Sequence, residues 1–189
     1  MSEHMALENL TVLDLTRVLA GPFCTMMLAD MGANVIKIEV PKGGDDTRSY
    51  PPFRAENLNG ERESVYFANI NRNKKGITLN LKAPEGKEIF KGLVKKADIV
   101  VENYRPGVMD KLGLGYDVLK EINPRIIYAA VSGFGCYGPY HLRPGYDILA
   151  QAMGGMMSIT GSKGGEPTRA GSALGDILGG LHVTIGILA

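Results

Sequence analysis

Asp176 stands in Gly175-Asp176-Ile177, where a glycine-rich turn runs into an apolar helix and small neighbours leave a carboxylate accessible. Aspartate at a helix entry is first of all an N-cap, and the spacing alone favours that use. A carboxylate held at the positive end of a helix is also available as a nucleophile. Tyr146-Asp147 precedes another apolar segment, where a helix start is again the plainer reading. Gly133-Phe134-Gly135-Cys136-Tyr137-Gly138 has the spacing of a dinucleotide loop and follows a predicted strand. Pro139 and His141-Leu142-Arg143-Pro144-Gly145 follow where a helix must open, and no acidic residue stands about 20 positions on to hold a ribose. A nicotinamide cofactor is therefore disfavoured, while Gly133 and Gly135 keep their value as a ligand-binding loop at a strand end. Lys74, Lys75, Lys82, Arg105 and Lys111 fall at the ends of predicted elements. Scattered, they are solvated surface; converging, they suit the phosphates of a nucleotide-like ligand. His4, His141 and His182 share no ligand spacing with one another or with Cys24 and Cys136, which argues against a metal site. No G-x-S-x-G elbow is present, and Cys24 lies within an apolar helix as an inert core thiol.

These groups need a scaffold, and the pattern of elements describes one. Thr11–Leu15 reads as a strand, Phe23–Met31 as a helix with Pro22 in its first turn, and Asn34–Val40 as a second strand. Pro41–Ser64 is a polar excursion with Gly43-Gly44, Pro51-Pro52 and Gly60, of a length that is more often functional than idle. Val65–Asn71 and Gly76–Leu81 read as extended segments around the turn at Arg72–Lys75. A helix opens at Pro84-Glu85, with Ile89, Phe90, Leu93 and Val94 at helical spacing. Asp98–Glu102 and Arg125–Ser132 are near-continuous apolar strands of the kind buried in parallel sheets. Tyr116–Ile122, Ile148–Met153 and Ile177–Leu188 complete the set as helices. The expected fold is α/β, a mostly parallel sheet with helices on both faces.

Composition excludes several classes. The 189 residues carry 21 Lys+Arg against 20 Asp+Glu, a net charge of +1, with 44% hydrophobic and 22% charged residues. That balance is globular and disfavours nucleic acid or an acidic membrane as partner. Two cysteines make no disulfide framework, and the polar start carries no signal or transit pattern; a cytoplasmic protein is expected. No apolar run approaches the roughly 18 residues that span a bilayer. After Asp176 the chain holds three Leu, three Ile and one Val with no charged residue. A helix apolar nearly all round must be buried, either in this domain or against sequence beyond the chain.

Leu13–Pro22, Leu28–Glu39, Asn71–Lys82, Asp98–Gly107, Ile122–Arg125, Gly133–Gly135 and Gly175-Asp176 together resemble the class III CoA-transferase family. This CaiB/BaiF type includes formyl-CoA transferase, carnitine CoA-transferase and α-methylacyl-CoA racemase. The resemblance implies a Rossmann-like large domain that binds coenzyme A along its strand ends. It implies that residues 7–189 are the N-terminal part of that domain, with a second, small domain absent, and that residues 1–6 form a disordered tail. By position, Val18, Leu19, Leu79, Lys82, Asn103, Tyr104 and Lys111 match residues lining the CoA site. Val40 stands where the formyl-CoA enzyme has an arginine, so another cation must replace it. Asp176 matches the catalytic aspartate, flanked in the site by Tyr146 and Asp147.

The reaction so implied moves CoA between carboxylic acids, dicarboxylates among them, through an aspartyl-acyl anhydride and an aspartyl-CoA thioester. Acyl-CoA and small carboxylic acids are the partners, the working unit an interlocked homodimer, and no cofactor is permanently bound. The racemase branch is the alternative, but its histidine falls at Tyr146, a poor base near neutral pH. A CoA-binding fragment without turnover is the other alternative.

Overall fold

The computed structural model describes residues 4–56, 60 and 62–189. Five strands, β1 (Thr11–Asp14), β2 (Asn34–Glu39), β3 (Lys75–Thr78), β4 (Ile99–Glu102) and β5 (Ile127–Ala130), form one sheet in the order β3-β2-β1-β4-β5. Every pairing is parallel, so all five carboxyl ends lie along one edge. The chain steps outward from β1 to β3 and returns to lay β4 on the other side of β1. The order therefore reverses between β1 and β4, the place where open α/β sheets take their ligands.

Among the described residues, seven α-helices dress the sheet: α1 (Ala20–Asp30), α2 (Val65–Ile70), α3 (Pro84–Val94), α4 (Val108–Lys111), α5 (Tyr116–Ile122), α6 (Asp147–Met153) and α7 (Leu174–Leu188). Alternate strand residues feed two cores. Val12, Val35, Ile99 and Val101 pack with Cys24 and Leu28 of α1 and Ile187 of α7. Leu13, Ile38 and Val100 pack on the opposite face with Phe90 and Val94 of α3, Met109 of α4 and Leu119 of α5. The expected α/β class, with helices on both faces, is what the structure has. No helix of the described residues is long and apolar enough to cross a membrane.

Three local expectations change. Val65–Asn71 is not extended but contains α2. Ser64 caps it, its hydroxyl oxygen accepting from the Phe67 N–H at 3.2 Å, and a satisfied cap outweighs the β preference of Val, Tyr and Phe. The strand expected over Arg125–Ser132 shortens to Ile127–Ala130 at the sheet margin, where Ile127 is exposed. Third, α7 buries only one stripe. Gly180, Thr184 and Ile187 are inside, whereas Leu178, Leu181, Ile185 and Leu188 remain exposed. Of the tail expected over residues 1–6, residues 1–3 lie outside the described residues; the Met5 N–H donates to Glu8 Oε2 at 3.2 Å.

Candidate functional site

Most of the residues singled out from sequence sit in the segments that leave the strands. Val18 and Leu19 follow β1, Leu79 and Lys82 follow β3, Asn103 and Tyr104 follow β4, and Gly133 and Gly135 follow β5. Parallel pairing brings these segments to one edge, and hydrogen bonds tie neighbours together. Asn103 takes both backbone groups of Arg17, its Oδ1 accepting from the N–H at 2.9 Å and its Nδ2 donating to the carbonyl at 2.7 Å. The Leu79 N–H donates to the Glu39 carbonyl at 2.8 Å. Leu79 and Tyr104 also pack against the same core cluster. Lys82 and Lys111 are exposed, Lys111 at the end of α4.

The glycine loop after β5 has a packing job. A Cβ on Gly133 would meet the Gly145 backbone at 2.3 Å, and one on Gly145 would meet Gly133 at 2.4 Å. Two bare backbones in contact thus fix the approach to Tyr146 and α6. Gly135 has φ +78 with open space around it. No helix opens at these glycines, as the failed dinucleotide pattern requires.

Asp176 lies in the first turn of α7, half-buried. It is not the N-cap; Ala173 occupies that position. Capping comes instead from α6, where Asp147 Oδ1 accepts from the Gly175 N–H at 2.7 Å and Oδ2 from Gln151 Nε2 at 2.8 Å. Asp147 is the first residue of α6, and Tyr146, its N-cap residue, is 70% exposed. Two glycines let α7 come close. A Cβ on Gly175 would meet Ala150 of α6 at 2.8 Å, and one on Gly180 would meet the Ala20 carbonyl of α1 at 2.4 Å. The Asp176 carboxylate accepts no hydrogen bond among the described residues. Burial, and then the Asp147 charge, push its pKa above the ordinary aspartate value. A carboxylate that is partly desolvated and unshared in hydrogen bonds is a stronger nucleophile than a solvated one. Tyr66 of α2 completes the neighbourhood. Its ring meets Tyr50 edge-on at 5.8 Å, and its phenol is raised by burial and then by the Asp176 charge. Sequence reasoning missed Tyr66 because α2 was read as extended.

It also missed a buried ionic layer beneath the strand ends. Lys74 was expected either as solvated surface or among cations converging on a ligand, yet its ammonium is out of solvent and donates to Asp14 Oδ2 at 3.0 Å, the Pro22 carbonyl at 3.0 Å and Asn71 Oδ1 at 2.8 Å. Lys75 donates to Asn34 Oδ1 at 2.7 Å. Lys37, never singled out, pairs with Asp45 at 2.8 Å. Arg48 donates to Glu39 through two nitrogens, at 2.8 and 2.6 Å, and lies 3.8 Å over the Phe67 ring. It is committed there and does not stand free to replace the cation absent at Val40. Burial raises the carboxyls of Asp14, Glu39 and Asp45, but their cations and hydrogen bonds outweigh it and hold all three low.

Glu102 differs from these. It accepts the Tyr104 N–H at 2.7 Å and the Tyr128 hydroxyl at 3.2 Å, but no cation among the described residues pairs with it. Burial therefore dominates and drives its pKa up to about 7. It lines a cleft of about 560 Å³ together with Asp110, Tyr116, Tyr128 and Cys136. Cys24 is wholly buried, and burial pushes its thiol up to about 11, as an inert core residue requires.

Comparison with known proteins bears on what this edge serves. The family model described as CoA-transferase family III matches residues 7–189. The succinyl-CoA:glutarate CoA-transferase of Homo sapiens is 48% identical over 190 residues, covering 100% of this chain and 42% of that protein. The acetyl-CoA:oxalate CoA-transferase of Acetobacter aceti is 50% identical over 181 residues, covering 95% and 45% respectively. A crystal structure of a CAIB/BAIF family protein from Brucella suis superimposes with a TM-score of 0.93 at 45% identity, covering 98% of this chain and 49% of the other. The chain thus spans just under half the length of the proteins it matches.

Proposed function

The chain belongs to CoA-transferase family III, and on that premise we propose that it carries the CoA-binding edge and the nucleophile of an acyl-CoA:carboxylate CoA-transferase. The observation that carries this reading is Asp176, a half-buried carboxylate of raised pKa with no hydrogen-bond donor among the described residues, fixed beside α1 and α6 by two glycine contacts. The strand-end segments of Val18, Leu79, Asn103 and Tyr104 offer the adjoining surface to the coenzyme.

In the reaction, an Asp176 oxygen attacks the thioester carbonyl, the C–S bond breaks, and CoA leaves as thiolate with an aspartyl-acyl anhydride left behind. The thiolate attacks the aspartyl carbonyl, which forms aspartyl-CoA and releases the first carboxylate. An acceptor carboxylate then attacks aspartyl-CoA, and the same two steps run in reverse to give the new acyl-CoA and free Asp176. The overall exchange trades one thioester for another and is nearly thermoneutral, so the enzyme's task is to hold the higher-energy anhydride and exclude water. Dicarboxylates are the acceptor class supported by the names of the relatives. A homodimer is the working unit we favour, a reading supported by the exposed Leu178, Leu181, Ile185 and Leu188 of α7. The two free cysteines support action in the cytoplasm.

Hydroxylamine added to the natural gene product during turnover of an acyl-CoA should leave a hydroxamate on Asp176, detected by peptide mass. An Asp176→Ala protein that exchanged labelled carboxylate into acyl-CoA at the normal rate would refute the assignment.

A further inference from the structure

The loop between β1 and α1 is held more completely than a surface loop requires. Thr16 donates its N–H and hydroxyl to Asp14 Oδ1, and its carbonyl accepts from Lys37 Nζ at 2.8 Å. Arg17 gives both backbone groups to Asn103. The Val18 N–H donates to Asp45 Oδ1 at 3.2 Å. Val18 has φ +68, in the left-handed region, where a β-branched residue is a genuine outlier. Such a residue persists only where its surroundings over-determine it, and outliers of this kind gather at ligand clamps.

Asp45 comes from the excursion that follows β2 and has no solvent exposure of its side chain. Its Oδ1 also accepts from the Thr47 N–H and hydroxyl at 3.0 and 2.8 Å, and its Oδ2 takes the Lys37 ammonium at 2.8 Å. The Glu39 carboxylate takes the Asp45 N–H at 2.7 Å, so backbone and side chain of Asp45 are both anchored to β2. A buried ion pair is weak evidence for stability, since apolar residues of similar volume often serve as well. What an apolar pair cannot do is aim an acceptor at Val18 and a donor at the Thr16 carbonyl.

We propose that Asp45, seated on Lys37, is a positioning residue that locks the Arg17–Val18 backbone in its left-handed turn and so preforms the β1 loop for coenzyme A. The inference rests on the reading of that loop as part of the CoA surface. Preforming a loop removes its ordering cost from binding. Asp45 therefore acts on affinity for the coenzyme and leaves the covalent steps at Asp176 alone.

The test is a cycle in the natural gene product. Asp45→Asn keeps the shape but points an amide donor at Lys37 or at Val18, and KM for acyl-CoA should rise about tenfold with kcat held within about twofold; tenfold is about 1.4 kcal/mol. Glycine adopts a left-handed φ freely, so in a Val18→Gly background the same substitution should raise KM by less than about threefold. An equal rise in both backgrounds, a fall in kcat at constant KM, or a lowered melting temperature with KM unchanged each overturns the proposal. Should Asp45→Asn fail to fold, Lys37→Met with Asp45→Leu fills the space without the acceptor, and the same rise in KM is expected. Wild-type protein that shows no CoA binding by calorimetry refutes the functional reading itself. Wild-type binding with an unaltered KM in Asp45→Asn refutes only the positioning role.

Discussion

Glu102 offers the sharpest quantitative test of the electrostatics at the strand ends. Its carboxyl titrates near 7 in the folded chain against 4.5 as the reference, and burial is the cause. A group whose folded pKa is raised resists ionisation in the native state, so the unfolded state gains on the folded one as pH climbs from about 4.5 to 7. The penalty is about 1 kcal/mol at pH 5 and about 3 kcal/mol at pH 8 by linkage. Glu102→Gln removes the titration and keeps the shape. Its carbonyl accepts from the Tyr104 N–H, as Glu102 Oε2 does, and its amide faces the Tyr128 oxygen in place of Oε1. The variant should therefore be more stable than wild type at pH 8, by about 2 kcal/mol more than at pH 5. Urea unfolding of both proteins at the two pH values gives the four free energies, and the difference between differences isolates Glu102 from every other titrating group. A stability difference that does not change with pH would refute the assignment of burial as the dominant influence on this carboxyl.

Asp14, Glu39 and Asp45 are held below their ordinary values, so their stabilisation is complete above about pH 5 and is lost as pH falls through the lowered values; a urea midpoint that stayed flat between about pH 5 and 2 would contradict this. Asp147→Asn keeps an acceptor for Gly175 but removes the charge that, after burial, raises Asp176, so the acid limb of hydroxamate formation should move to lower pH, and an unmoved limb counts against the coupling. Gly180→Ala forces α7 away from the Ala20 carbonyl, which should cost about 1–3 kcal/mol and lower the hydroxamate yield; unchanged unfolding would deny the close contact. Ser64→Ala loses the cap of α2 and the bond to the Tyr50 carbonyl at 2.6 Å, for about 1 kcal/mol by thermal melting.

The sheet was legible because β1, β4 and β5 are largely apolar runs and β2 is rich in β-branched residues, and because strands alternate with helices. Asp176 was legible as a residue of interest from its small neighbours, but its capping partner was not. Asp147 lies far along the chain, and only packing brings its carboxylate to Gly175. The α2 error has a local origin: Val65, Tyr66 and Phe67 all favour strands, and the decisive signal, Ser64 as cap, is one hydroxyl whose bond is visible only in three dimensions. The ionic layer was illegible for a deeper reason. Lys37 sits within β2 and Lys74 in a turn, where lysine ordinarily reaches solvent. Nothing in either position announces a carboxylate supplied by another segment. The reversal of strand order between β1 and β4 emerges only when pairing is known, and it is what gathers Val18 and Asn103 at one place.

The burial of Lys37 and Lys74 has a consequence under the acyl transfer proposed above. Thioesters and mixed anhydrides modify any free amine they can touch, and an amide formed on a lysine is permanent on the timescale of turnover. The two lysines beneath the β1 loop expose 2% and 1% of their side chains and are engaged by carboxylates and carbonyls. Their charge steadies the loop while their nitrogens stay out of chemical reach. Treatment with succinic anhydride should mark exposed amines such as Lys82 and Lys111 and spare these two, so that burial itself shields the centre from acylation.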